Sequence, residues 1–274
     1  MMNKRIALIG AGNVAHHLAQ ALLKSGFNLC QIYSRTIESA RELGMKTGIS
    51  YTNELYAIYP DCDIYIFCLN DDALQSVYKS IRVNKNALIL HTSGSVSMDI
   101  FKDYVKNYGV LYPLQTFSKK RDLSFKEIPL CIEASNAQSI RELRKIAEEL
   151  SHCVEEVSSE NRLILHLAAV FACNFTNHLY QVAGKIVAAN EMDFSILRPL
   201  IYETAHKVMT LQPEEAQTGP AARNDDTIIN KHKALLKEQK QLQTIYTLLT
   251  NSIKSNNIKN EEKVVVDDKQ MSLW

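Results

Sequence analysis

The chain has 274 residues, enough for two domains or one large one, and 46% of them are hydrophobic, enough for a substantial core. Its formal net charge of +1 offers no basic surplus for nucleic acid or an anionic membrane. None of the six cysteines forms a C-x-x-C pair, so the expectation is reduced core thiols in a cytoplasmic protein, with no metal site and no disulfide.

The first predicted strand is Ile6–Ile9. Gly10, Ala11, Gly12, Asn13, Val14 and Ala15 follow, and an amphipathic helix runs on from His16 to Leu23. This is the G-x-G-x-x-G/A pattern between a strand and a helix, the context it requires. Gly10 lets the chain turn off the strand, Gly12 leaves room for a pyrophosphate, and Ala15 keeps the helix close to the sheet. The helix N-terminus favours the phosphate charge. Lys4 and Arg5 precede the apolar run, but glycines, Asn13, His16 and His17 break it, so a targeting segment is rejected. No uninterrupted apolar stretch is long enough to span a membrane.

Asn28–Tyr33 reads as the second strand and Ile37–Leu43 as a helix, with Gly44 placed to end it. Asp63–Leu69 (DIYIFCL) is an apolar strand of the kind found where both sheet faces are covered. A helix over Asp71–Ile81, strands at Ala87–His91 and Val110–Tyr112, and a helix at Ala137–Leu150 between strands at Pro129–Glu133 and Cys153–Val157 continue the alternation. The pattern predicts a Rossmann-like, doubly wound, mostly parallel sheet over residues 1–157. From Ser158 the strand signals stop. Glu160 to Asn190 reads as one long helix, apolar on several faces and hence expected to be buried between domains or subunits. Further helices are expected at Phe194–Leu211 and within Thr227–Ile253. The expected division is a nucleotide-binding domain (1–157), an all-α domain (158–254) and a mobile polar tail (255–274), whose Leu273 and Trp274 offer an apolar end.

An NAD site places an acid at the end of the second strand to bind the ribose 2′-hydroxyl. Here that strand ends in Tyr33, Ser34, Arg35 and Thr36, with no acid before Glu38. Arg35 offers a fork of donors to a 2′-phosphate, and Ser34 and Thr36 add hydroxyls, so NADP is expected. The competing reading is a solvated arginine beside an N-cap. No second flavin signature is visible. Ligands in such sheets lie at the carboxyl ends of the strands. Those ends carry Leu69, Asn70 and Asp71, then His91, Thr92, Ser93 and Gly94, then Tyr112, Pro113, Leu114, Gln115, Thr116 and Phe117. Leu69, Asn70, Thr92 and Ser93 are the expected cofactor contacts there. Asp71 also reads as a helix cap, and His91 as a hydrogen-bonded core histidine.

On the long helix, His166, Val170, Asn174 and Asn177 are spaced 4, 4 and 3 apart and share one face at 3.6 residues per turn. Polar groups on an apolar helix need partners, either a ligand or a buried structural network. Thr218–Asp225 (TGPAARND) forms a Gly-Pro turn presenting Arg223, either as a carboxylate clamp or as half of an Arg–Asp pair, with Asp225 capping the next helix.

The segments G-A-G-N-V-A, S-R-T, F-C-L-N-D-D, H-T-S-G and Y-P-L-Q-T-F resemble the superfamily of pyrroline-5-carboxylate reductase, the 3-hydroxyacid dehydrogenases and the deazaflavin-linked NADP oxidoreductases. H-L-A-A-V-F-A-C-N-F and T-G-P-A-A-R-N-D are similar to a bacterial branch that joins a Rossmann-like domain to a helical C-terminal domain of unknown function. Residues 4–253 carry the resemblance. It implies an NADP-binding fold and a helical dimerisation domain, hence a homodimer. Hydroxyacid dehydrogenases of the superfamily place a lysine and, four residues on, an asparagine on the inter-domain helix, where this chain has His166 and Val170. The hydroxyacid mechanism therefore does not transfer directly.

Two functions follow as expectations. One is an NADP-dependent oxidoreductase passing a hydride to or from a small polar carbonyl, imine or alcohol, with His166 as general acid/base, Asn174 positioning the substrate and Arg223 holding a carboxylate. The other is a non-catalytic NADP-responsive protein that dimerises or recruits a partner through its helices.

Overall fold

The computed structural model of the chain describes residues 3–271, with side chains through residue 256. Leu273 and Trp274 lie outside the described residues. The chain forms two compact units, residues 1–182 and 183–274.

The first unit is built on an eight-stranded sheet, ordered β3-β2-β1-β4-β5-β6-β7-β8. Its strands are β1 (Arg5–Ile9), β2 (Asn28–Tyr33), β3 (Ser50–Thr52), β4 (Ile64–Phe67), β5 (Leu88–His91), β6 (Tyr108–Pro113), β7 (Leu130–Ala134) and β8 (Val154–Glu156). Only β6 and β7 pair antiparallel. The helices are α1 (Asn13–Lys24), α2 (Ile37–Thr47), α3 (Leu74–Lys79), α4 (Ala137–Leu150), α5 (Ser159–Ala169) and α6 (Thr176–Ala188). Pleating sends alternate β1 side chains to opposite faces. Ile6 and Leu8 join Leu18, Leu22, Leu143 and Ile146 on one side, while Ala7 and Ile9 join Tyr65, Phe67, Tyr78 and Phe101 on the other. Both faces are thus covered, and the apolar run of β4 is accounted for. The doubly wound, mostly parallel sheet matches the sequence expectation.

Several local expectations change. The helix α2 runs past Gly44 and ends at Gly48, which adopts φ +71°. Gly44 is instead a packing position, since a Cβ there would lie 2.4 Å from the Tyr51 ring. The strand β3, too short to show a period, was not expected.

The long helix departs most. From Val170 to Phe175 it widens into a π turn between α5 and α6, and the Thr176 hydroxyl donates to the Phe171 carbonyl (3.1 Å). It is also not buried. Leu163, Ile164, Leu167, Phe171 and Phe175 are each at least half exposed. Only its first turns are tied to the sheet. Arg162, 1% exposed, pairs with Glu133 on β7 (2.6 Å) and donates to the Val96 carbonyl (2.6 Å). Ser159 donates to Glu133 from both its amide and its hydroxyl (2.9 and 2.7 Å). Among the described residues this helix, Ser159–Ala188, is long and apolar enough by length and composition to cross a membrane. That criterion is one of average composition, and the expectation concerned an uninterrupted apolar stretch, which this helix does not contain. His166, Asn174 and Asn177 interrupt its apolar surface.

The second unit contains α7 (Arg198–Lys207), α8 (Pro213–Ala216), α9 (Asp226–Leu235) and α10 (Lys240–Met271). The Asp225 carboxylate caps α9 by accepting from the Ile228 amide (3.1 Å), as expected. The helix α10 continues through residues expected to form a tail. Asn256 to Lys263 holds no proline or glycine, so nothing there breaks a helix.

Candidate functional site

Two features of the first unit carry the chemistry. The first is a cavity of about 380 Å³ at the carboxyl ends of β1, β2 and β4. It is lined by Gly10 and Gly12 of the glycine loop, Ser34, Arg35, Thr36 and Ser39 after β2, Leu69 and Asn70 after β4, and Lys119. Gly10 holds φ +123°, and a Cβ there would stand 2.2 Å from the Cys68 carbonyl oxygen, so only glycine fits. A Cβ on Gly12 would meet nothing within 4 Å, because it would project into the open cradle. The helix α1 opens at Gly12 with no side-chain cap and no acid in its first turn, whereas α4 and α5 are capped by Asn136 and Ser158. Its leading amides and positive dipole end are left for an anion. This cradle fits a dinucleotide pyrophosphate. Arg35 makes no ion pair among the described residues, and the Thr36 hydroxyl donates to that of Ser39 (2.9 Å).

Asn13 and Val14 sit on the first turn of α1 beside this cavity without lining it. The Asn13 side-chain oxygen accepts from the Lys119 amide (3.4 Å). Thr92 and Ser93 line neither cavity. Thr92 is buried, its amide donating to the Phe67 carbonyl, and the Ser93 hydroxyl accepts from the amides of Ser95 and Val96. Both therefore shape the turn after β5. Asp71 accepts from the Ser95 hydroxyl, tying that turn to the end of β4. His91 is fully buried against Phe101, and its Nδ1 accepts from the Ser93 amide (3.2 Å). Burial, then the nearby Arg162 charge, pushes the imidazole down to about 4, so it stays neutral.

The second feature is a cavity of about 570 Å³ between the β6 end and the α5–α6 helix. Tyr112, Leu114, Gln115, Thr116 and Phe117 form one wall, and Leu165, His166, Ala169, Ala172, Cys173 and Asn174 the other. The Tyr112 hydroxyl lies 3.1 Å from His166 Nδ1. Burial raises the Tyr112 pKa, so its hydroxyl keeps its proton. The hydroxyl donates to Nδ1 of a neutral ring that carries its hydrogen on Nε2, and accepts from Nδ1–H of the protonated ring. Gly94 lies beneath this pair. A Cβ there would come within 2.8 Å of both His166 Nδ1 and Tyr112 Cζ. Of the four residues expected on one stripe, His166 and Asn174 line the cavity and Val170 and Asn177 do not. The π turn closes i→i+5 bonds, so it resets the phase that 3.6 periodicity assumes and brings Cys173 in. π turns of this kind are frequent at functional sites. Sequence reasoning missed Tyr112 as the partner of His166, and Lys119. The aromatic strand end Y-P-L-Q-T-F was the available signal for the first.

Arg223 belongs to the second unit, exposed in the turn before α9, where its amide donates to the Gly219 carbonyl (3.3 Å). No ion pair joins it to Asp225 among the described residues, so the Arg–Asp alternative is not realised.

A cradle at the topological switch of a doubly wound sheet defines a Rossmann-like dinucleotide-binding protein. Comparison with known proteins narrows the class. Residues 5–93 match the family described as NADP oxidoreductase, coenzyme F420-dependent, and residues 128–253 match DUF2520, a domain of unknown function. A provisionally named NADP oxidoreductase from Bacteroides fragilis is 45% identical, with 93% of this chain and 99% of that one covered at a TM-score of 0.90. The fold is also that of protein TM1727 from Thermotoga maritima (21% identity, 93% and 99% covered, TM-score 0.71). A Plasmodium falciparum pyrroline carboxylate reductase solved with NADP bound shares it too (13% identity, 94% and 99% covered, TM-score 0.59). A curated glutamyl-tRNA reductase from Caldivirga maquilingensis matches at 32% identity over 68 residues, 24% of this chain but only 17% of that protein. The chain belongs to the family of Rossmann-fold NADP oxidoreductases that carry the DUF2520 region at their C-terminal end.

Proposed function

We propose that the protein is an NADP(H)-dependent reductase or dehydrogenase of a small carbonyl, imine or alcohol, with His166 as its general acid/base. The observation that carries this reading is the Tyr112–His166 hydrogen bond at the wall of a cavity that draws Gln115, Thr116 and Phe117 from the same loop that supplies Lys119 to the glycine-loop cradle. When bound, the nicotinamide cofactor supplies or accepts the hydride. The chain's own residues bind, orient and move the proton. The amides after Gly12 hold the pyrophosphate, and Arg35 with Thr36 and Ser39 meets a 2′-phosphate. That charge arrangement favours NADP over NAD. It also favours NADP over a deazaflavin as the occupant of this cradle, because a 2′-phosphate gives Arg35 a partner. The Bacteroides relative's name and the NADP in the Plasmodium enzyme agree with it.

In the protonated ring His166 Nδ1–H donates to the Tyr112 oxygen, which fixes the imidazolium, and Nε2–H is left to give its proton to a carbonyl oxygen or imine nitrogen as the hydride arrives. The resulting neutral ring takes the proton back at Nε2 in the reverse direction. Asn174, on the same cavity wall, offers an amide to position the same group. A panel of small carbonyl and imine compounds, followed at the NADPH absorbance band and repeated with NADH, tests this. The reading predicts turnover of at least one class with NADPH preferred. NADPH that binds yet is oxidised by no member would favour the non-catalytic alternative.

The helix Ser159–Ala188 also supports a homodimer, since it exposes several leucines and phenylalanines and only its first turns are tied to the sheet.

A further inference from the structure

We propose that Lys119 is a second cation of the cofactor site, which binds the 2′-phosphate together with Arg35 and exchanges Glu42 for it. The proposal rests on the NADP reading above and assigns a residue that no motif covers. Lys119 lies far from the glycine loop in sequence, on the loop that follows β6. Three contacts fasten that loop over the start of α1. The His17 and Phe117 rings meet at a tilt of 36° with centres 5.2 Å apart, His17 Nε2 donates to the Ser118 carbonyl (3.0 Å), and the Lys119 amide donates to Asn13 (3.4 Å). Lys119 thereby becomes part of the lining of the nucleotide cavity, as Arg35 is.

Its ammonium is held by Glu42 of α2 at 2.9 Å, and the lysine is about a quarter exposed (26%) against 54% for the glutamate. The Lys119 hydrogen bond, ahead of any other cause, holds the Glu42 carboxyl below its ordinary range. An ion pair this open to water is worth little, so a dianionic phosphate competes for the lysine at small cost. The neighbouring Lys46 is committed elsewhere, donating to His16 Nε2 (2.9 Å). Arg35 and Lys119 are therefore the two cations that line the cavity. The same loop carries Gln115, Thr116 and Phe117 in the wall of the His166 cavity. A phosphate that draws on Lys119 pulls on the segment that also shapes the substrate side.

The test is the dissociation constant of NADPH and of NADH, measured by calorimetry for wild type, Lys119→Ala, Lys119→Arg, Glu42→Gln and Arg35→Ala. Lys119→Ala is expected to weaken NADPH about tenfold while changing NADH less than twofold, and Lys119→Arg to restore most of the loss. Glu42→Gln is expected to bind NADPH as tightly as wild type or more tightly, since it frees the lysine. A lysine that merely latches the loop predicts the opposite, with Glu42→Gln weakening both cofactors as Lys119→Ala does. Retention of the full NADPH preference in Lys119→Ala, with Arg35→Ala losing it, would overturn the role of Lys119 alone. A wild type that binds NADH as tightly as NADPH would overturn this proposal together with the cofactor reading.

Discussion

At the scale of single residues, glycine positions report the site as sharply as the polar side chains do. Gly94 has no unusual backbone angle to explain it. What explains it is the His166–Tyr112 pair stacked on its missing Cβ. Gly94→Ala is expected to push the imidazole away and lower kcat about 100-fold, with NADPH affinity kept, because an ångström of misplacement at a catalytic group costs that much. Steady-state kinetics beside a calorimetric titration checks it. His91 titrates in a predictable direction. Its folded-state pKa, about 4, lies below the usual histidine value of 6.5, so the unfolded chain binds the proton more readily between those limits. Stability from this residue is complete above about pH 6.5 and is lost as the pH falls towards 4, by at most about 3 kcal/mol. Thermal midpoints from pH 7 to pH 5 should fall more steeply in wild type than in His91→Gln.

Among the elements, the α5–α6 helix holds most of what remained hidden in the chain. Its existence and length were legible from Ala-rich, apolar residues without breakers. Its π turn was not, because the sequence Val170–Phe175 contains no signal for an i→i+5 bond, and 3.6 arithmetic therefore carried Val170 and Asn177 onto the His166 face. Nor was its exposure legible. Apolar residues on several faces imply a partner but do not say whether the same chain provides it. If a second copy covers those residues, light scattering after gel filtration will give twice the chain mass, and Phe171→Glu, at a position 62% exposed, will shift the protein towards the monomer without loss of helicity. A wild type that elutes as a monomer at micromolar concentration contradicts the dimer.

For the molecule as a whole, local signals predicted the fold well because a parallel sheet buried on both faces writes itself as apolar strands alternating with amphipathic helices. The glycine loop likewise announced its own cradle, since Gly10 turns off the strand at a positive φ and Gly12 leaves open space at the start of α1. Contacts between residues distant in sequence were not legible. Tyr112 meets His166 across 54 positions, Arg162 meets Glu133 across 29, and Lys119 reaches Asn13 across 106. Each depends on how β6, β7 and the following loop are placed by the sheet, which no spacing rule encodes.

On the proposed reading, this cradle serves hydride transfer and His166 moves the proton. The most direct measurement compares wild type with His166→Ala, reading NADPH oxidation by a substrate from the carbonyl and imine panel alongside the NADPH dissociation constant. Turnover is expected to fall about 10²- to 10⁴-fold, the usual range for a general acid/base, with NADPH affinity unchanged within twofold. Unchanged turnover in His166→Ala would contradict it.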